Sequence, residues 1–377
     1  MKTIEDEKLL KDAYVLKSFY CMGESHLLCY SCDYCRARGK GEMSYWVCPS
    51  QINELFSAIP VAVNIFHGDP LLYANDTLRA VDELECCGHK GPVVVITKGS
   101  LGVKEREIFE GRNLKFHFGL SYFGNPTYDK MGTAYGVVKN AKEIATLNNA
   151  TANIEYRPII RDINDGDKQL HEIFSIAKDF GLPIAYSGLQ VEKELEEHIK
   201  EKNLPFKPYD GFEFGMKKNL PNWMEEKMRE FSEKHGVPIF KKTSCAITYC
   251  TGQERDYNAH YYRPNEMGCA YCPMFEKCHS VKKRHDDGNA EPVLSNLPFN
   301  LELVYKEHHE CKLHREGLCK FPSEDCLNIK GALLKTDRVL TTTDVRLIKW
   351  LSGYTVDAVF YESPYMSKDW DTSGVFN

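Results

Sequence analysis

What the chain lacks narrows it first. Across 377 residues there is no apolar run of about 18, so no membrane-spanning helix is expected. Residues 1–12 alternate charged and apolar side chains around no apolar core, so neither a signal peptide nor a membrane anchor is expected. A net charge of −6 carries no global basic footprint for nucleic acid. Internal repeats and low-complexity segments are absent, which removes solenoids and disordered tracts. With 42% hydrophobic and 27% charged residues, the composition is that of an ordinary globular protein. The length suggests about two or three domains. What is abundant is cysteine, 15 in all. Without an export signal, thiols in that number point to a reducing, cytoplasmic setting and to metal ligation.

Three of them lie within seven residues, Cys29-Tyr30-Ser31-Cys32-Asp33-Tyr34-Cys35. No helical or strand periodicity runs between them, which suits a loop wrapped around one metal centre. Soft thiolates select iron–sulfur clusters or zinc. Three ligands without an obvious fourth would leave one iron of a 4Fe–4S cluster open to a substrate or cofactor. The alternative is a zinc knuckle completed by Cys48 or His26.

Downstream, apolar β-branched runs alternate with helical stripes. Residues 13–20, 60–66, 92–96, 114–121, 152–160 and 183–191 read as strands. Helices are expected around 49–58, at 75–87 (stripe Leu78, Val81, Leu84, Cys87), at 133–147 and around Leu170, Ile173, Phe174 and Ala177. Alternation at this spacing means βα units and a parallel sheet, either a partial barrel or a doubly wound sheet. In both, function collects at the carboxyl ends of the strands. The polar signals fall there: Cys29–Cys35, Gly68-Asp69-Pro70, Thr97-Lys98, Ser121 and Arg157.

Taken together, these features resemble the radical S-adenosylmethionine superfamily, with its Cys-x-x-x-Cys-x-aromatic-Cys loop and following Gly-Gly-Glu-Pro-like turn. Cys32-Asp33-Tyr34-Cys35 matches the end of that loop and Gly68-Asp69-Pro70 the turn, whereas Cys29 stands one residue closer than the pattern has it. Ile96-Thr97-Lys98 and the stretch 157–165 resemble the spore-photoproduct-lyase-like branch. The resemblance covers roughly residues 13–195 and implies a partial (β/α)6 TIM-type barrel. It further implies a 4Fe–4S cluster on Cys29, Cys32 and Cys35, with S-adenosylmethionine on its open iron. Backbone carbonyls of the Gly68-Asp69-Pro70 turn would meet the cofactor's amino group, and Lys98 and Arg157 its carboxylate. Ser121 would meet the ribose and Tyr34 the adenine. Reductive cleavage would give a 5′-deoxyadenosyl radical, with electrons from a donor such as flavodoxin or ferredoxin.

Beyond residue 192 the character changes. A charged helix at 192–202 precedes an aromatic, irregular linker at 207–219. Trp223, Met224, Met228 and Phe231 mark an amphipathic helix that stops at Gly236-Val237-Pro238, and 239–249 reads as a strand. Cys269-x-x-Cys272-x5-Cys278 is a ligand pattern, with Cys250 or Cys245 supplying a fourth thiolate. It resembles the SPASM or Twitch extensions, implying an auxiliary 4Fe–4S cluster; structural zinc with His279 is the rival. Lys282 stands where the longer form would carry another Cys. Cys311, Cys319 and Cys326, with His308, His309 and His314, match no motif, and 343–351 reads as a capped helix.

The expected division is a barrel at 1–203, a linker and helix at 204–240, a cluster module at 241–300 and a C-terminal region at 301–377. The expected function is hydrogen abstraction from a peptide or protein substrate. A nucleic-acid substrate, a non-catalytic zinc-binding interaction module and an inactive barrel holding its cluster for stability are the alternatives.

Overall fold

This computed structural model describes residues 33–34, 69–191, 193–215, 220–252 and 272–274, and the backbone of the strands at 20–21, 45–46, 63–64, 301–308, 330–336 and 358–362. The chain divides into two compact units. One comprises Leu16–Gln253 and Arg263–Phe275, the other Met1–Val15, Glu254–Tyr262 and Glu276–Asn377.

The first unit is built on an open six-stranded parallel sheet. Its strands are β3 (Val63–Asn64), β4 (Pro92–Thr97), β5 (Lys115–Tyr122), β6 (Ala150–Ile159), β7 (Ile184–Gly188) and β8 (Ile239–Phe240), side by side in chain order. Sequential order with parallel pairing is the arrangement of a partial TIM-type barrel. Strands covered on both faces must be near-continuously apolar, as β4 is with Val93, Val94 and Val95 fully buried. Earlier in the chain, β1 (Tyr20–Cys21) and β2 (Tyr45–Trp46) form a separate antiparallel pair.

Most of the helices between strands bury one stripe. In α1 (Ala74–Cys86) the stripe is Thr77, Ala80, Val81 and Leu84, so of the expected stripe Val81 and Leu84 are buried, whereas Leu78 is exposed and Cys87 half-buried. After the short α2 (Val103–Glu107), α3 (Ala134–Ile144) buries Val137, Asn140, Ala141 and Ile144, with Thr133 capping its first turn. Helix α4 (Asp167–Phe180) buries Leu170, Ile173, Phe174 and Ala177. Each fully buried aliphatic or aromatic side chain is worth about 1.5–3 kcal/mol, so these stripes fix which face each helix presents. Helices α5 (Lys193–Glu201) and α6 (Asn222–His235) follow, the latter packed on α4.

Side chains alternate across the strands. One face carries the registered row Tyr122, Tyr156 and Tyr186, whose hydroxyls reach Glu172 of α4, the Asn164 carbonyl and Glu225 of α6. The other face carries His117, Asn153, Glu155 and Arg157, and against it lies α7 (Thr243–Thr251).

Helix α7 corrects the sequence expectation of a strand over 239–249: only Ile239–Phe240 is extended. Its Thr, Ile and Tyr residues favour strands on propensity, yet burial of Ser244, Ala246, Ile247 and Thr248 against the sheet overrides that preference. The hydroxyls of Thr248 and Thr251 bond back to the carbonyls of Ser244 and Ile247, and Gly252 ends the helix at φ +66°.

The second unit contains a three-stranded sheet of β9 (Leu301–His308), β10 (Lys330–Thr336) and β11 (Ala358–Glu362). β10 is antiparallel to β9 and parallel to β11. Of the strand expected at 13–20 only Tyr20 is described, in β1, and the helices at 49–58 and 343–351 and most of the strand at 60–66 lie outside the described residues. No helix among the described residues is long and apolar enough to cross a membrane.

Candidate functional site

Asp33 and Tyr34, the two residues between Cys32 and Cys35, are each held by residues far away in the chain. Tyr34 is buried and stacks on Phe123 with ring centroids 4.3 Å apart. Its hydroxyl donates to Asp129 Oδ2 and accepts from Lys98 Nζ at 2.5 Å. Lys98 Nζ also reaches Asp129 Oδ2 at 2.7 Å, and its ammonium lies 4.6 Å from the Tyr34 ring centroid. Asp129 is itself set by the amides of Met131 and Gly132. Burial opposes its charge, but the Lys98 ammonium, the Tyr34 hydroxyl and the Gly132 amide hold its carboxyl below the usual carboxylate range. His198 of α5 donates to Asp33 Oδ1 across 3.1 Å. Tyr34 also belongs to a core with Ile160, Val191, Leu195, Ile199 and Phe206.

Asp69 ties the turn after β3 to the end of β4. Its carboxylate accepts from Thr97 Oγ1 (2.6 Å) and from the amides of Leu71 (3.0 Å), Lys98 (2.6 Å) and Gly99 (3.1 Å). Burial pushes the carboxyl above its ordinary range despite those donors. Pro70 opens a short helical turn, where its missing N–H matters least. The Asp69 carbonyl accepts from the Leu72 amide and the Pro70 carbonyl from Thr77. Three motifs far apart in sequence thus meet: Asp33-Tyr34, Asp69-Pro70 and Thr97-Lys98.

Beside them a buried polar chain runs up β6. His117 Nδ1 lies 2.9 Å from Thr151 Oγ1 and Nε2 lies 2.7 Å from Asn153 Oδ1. The Asn153 amide donates to Glu155 Oε1 and the Ile154 carbonyl, so its oxygen faces His117 and the imidazole carries its proton on Nε2. Burial lowers the His117 pKa to about 4, so the ring is neutral. Glu155 Oε2 takes the Thr243 hydroxyl (2.8 Å) and Arg157 Nη1 (3.2 Å). Arg157 Nη1 also meets Thr243, and its Nε donates to Ser187 at 3.0 Å. Ser121, half-buried, pairs in register with Glu155. Gly119 lets these strands close up, since a Cβ there would stand 3.2 Å from both Ile96 and Glu155.

Among the cysteines expected to ligate, Cys29, Cys32, Cys35, Cys269 and Cys278 lie outside the described residues, as does Gly68. Cys250 of α7 turns onto the sheet and donates to the Ala152 carbonyl at 3.5 Å. Burial, with Glu155 nearby, pushes its thiol up to about 12. Cys245 sits on the same helix, about 140° around its axis from Cys250 at 3.6 residues per turn. The Cys272 sulfur accepts the Met274 amide at 3.4 Å. Among the described residues no three His, Cys, Asp or Glu side chains gather as a metal-holding group.

Sequence reasoning missed Asp129, His198, Glu155 and Asn153. For the last two a signal existed: polar residues at every second place along 151–157 in an otherwise apolar strand mark a polar face. Segment 207–215 closes a cavity of about 320 Å³ over the ends of β6 and β7, walled by Ile160, Arg161, Leu189, Tyr209, Phe212 and Phe214.

No family model matches this sequence, and no curated protein does. Among solved structures, the chain is similar to Streptococcus suis SuiB bound to S-adenosylmethionine, at 12% identity and a TM-score of 0.40. That match covers 67% of this chain and 54%, about half, of SuiB. SuiB bound to its precursor peptide SuiA gives the same figures. A radical SAM methyltransferase from Sphaerobacter thermophilus matches at 14% identity and a TM-score of 0.38, covering 58% of this chain and 62% of that one.

Proposed function

We propose that this chain is a radical S-adenosylmethionine enzyme acting on a peptide or protein. The observation that carries this is the convergence of Asp33-Tyr34, Asp69-Pro70 and Thr97-Lys98 at the carboxyl ends of parallel strands. A passive zinc module has no use for it. Cys29, Cys32 and Cys35 offer a thiolate donor set of the kind iron–sulfur clusters take. When bound, the cluster and S-adenosylmethionine would supply a 5′-deoxyadenosyl radical that abstracts hydrogen.

The residues divide the remaining work. Arg157 uses Nε and Nη1 on Ser187, Glu155 and Thr243, which leaves the Nη2 edge of its fork for a carboxylate. Lys98 is committed to Asp129 and Tyr34, so we assign the carboxylate to Arg157 and a holding role to Lys98. Ser121, at the same strand ends, suits a ribose hydroxyl. The carbonyls of the Gly68-Asp69-Pro70 turn are our choice for the cofactor's amino group; those of Asp69 and Pro70 each accept one bond and keep a second lone pair. For an auxiliary centre we assign Cys245 with Cys269, Cys272 and Cys278, because Cys250 is turned onto the sheet.

Anaerobic reconstitution tests the proposal. About eight irons per chain are expected with both clusters, falling to about four when Cys29, Cys32 and Cys35 become alanine. Reduced protein given S-adenosylmethionine should release 5′-deoxyadenosine, and Cys32→Ala should abolish that release. Zinc in place of iron after reconstitution would overturn it.

A further inference from the structure

The cysteine loop needs a reason to hold its shape, because three thiolates must converge on one centre while its sequence carries no helical or strand periodicity to fix them. Two anchors attach directly to its middle. Asp33 is bonded to Cys32 and Tyr34 to Cys35 by single peptide bonds, so fixing this pair restrains both flanking cysteines.

We infer that Asp129 and His198 are positioning residues that hold the Cys32–Cys35 loop in a ligand-ready shape through two separate anchors, one on Tyr34 and one on Asp33. This rests on the cluster reading of that loop. Asp129 acts through the Tyr34 hydroxyl, with Lys98 Nζ 2.7 Å from Asp129 and 2.5 Å from Tyr34 closing a three-membered ring of polar contacts. His198 acts through Asp33 Oδ1 from a helix that is otherwise part of the core. The two contacts span 95 and 165 residues of chain, so neither is a by-product of local turn formation. The Asp129 side chain is 1% exposed and that of Lys98 16%, so water competes little for the ring. Phe123, stacked beneath Tyr34, fixes the plane of the ring but leaves its hydroxyl direction to Asp129 and Lys98.

The test reads the loop without any bound centre. Full-length protein, kept reduced and metal-free, is treated with iodoacetamide, and alkylation is followed at each cysteine by mass spectrometry. Cys86, exposed on α1, is the reference for reagent. Cys250, half-buried against the sheet, is the reference for the fold. In Asp129→Asn, in His198→Gln and in Tyr34→Phe, which keeps the stacked ring, alkylation of Cys32 and Cys35 should rise roughly tenfold. Cys86 and Cys250 should not change. A merely structural loss would raise Cys250 along with the others, and that outcome overturns the inference, as do unchanged rates at Cys32 and Cys35 in all three variants. Iron content of the reconstituted wild type separates the two proposals. Iron bound by wild type with unaltered alkylation in the variants sinks the anchors alone; raised alkylation in the variants with a wild type that takes zinc sinks the cluster and keeps the anchors.

Discussion

His117 shows how one buried polar residue can be tolerated inside a parallel sheet. It has no exposed surface, yet both ring nitrogens are satisfied, one by Thr151 and one by Asn153. It is burial that keeps the ring neutral, since a proton added on Nδ1 could still be accepted by the Thr151 oxygen, whose own hydrogen has the Phe116 carbonyl. The folded pKa of about 4 lies below the ordinary 6.5, so between those values the unfolded chain binds a proton that the folded one refuses. Stability is therefore full above pH 6.5, falls as pH drops through the window, and loses no more from this group below about 4. The loss is on the order of 3 kcal/mol. Urea midpoints of metal-free protein at steps from pH 7.5 to about 4 should slope less in His117→Gln than in wild type. Equal slopes would show that His117 is not the group responsible.

At the scale of elements, α7 is the piece the barrel cannot be read without. Ile247 is fully buried against the sheet, and Ile247→Ala should destabilise the protein by about 2–5 kcal/mol, measured as a lowered urea midpoint with unchanged slope. An effect below about 0.5 kcal/mol, the range of surface changes, would mean that α7 does not pack there. Strands β4 to β7 and helices α1, α3 and α4 were legible because each repeats one period over enough residues to be unambiguous. α7 was not, since nine residues rich in Thr, Ile and Tyr carry a strand's composition and only their burial decides the matter. The site divides in the same way. Tyr34, Asp69 and Lys98 stood out because motif order and strand ends mark them. Asp129 and His198 carried no pattern, since a buried ion pair or an anchor across 165 residues is made by tertiary approach alone.

For the molecule as a whole the open question is what it acts on, and charge gives the sharpest test. A protein that holds nucleic acid neutralises phosphates, and its affinity then falls steeply with salt. Here the net charge is −6, and among the described residues the two cations at the strand ends each sit beside a buried carboxylate, Lys98 beside Asp129 and Arg157 beside Glu155. A cation paired with a buried carboxylate contributes little net potential toward a phosphate backbone. The cysteine pattern at 269–278 resembles extensions most familiar in peptide modification, which leans the same way. Arg36, Arg38, Lys40 and the run Lys282-Lys283-Arg284-His285 supply the only dense basic stretches that could oppose this conclusion. Short DNA and RNA, single- and double-stranded, should therefore show no binding at about 50 mM salt, a condition under which even a few phosphate contacts are felt. Sub-micromolar affinity at that salt, collapsing by about 200 mM, would mean that those basic stretches form a phosphate-binding rim and that the substrate is a nucleic acid.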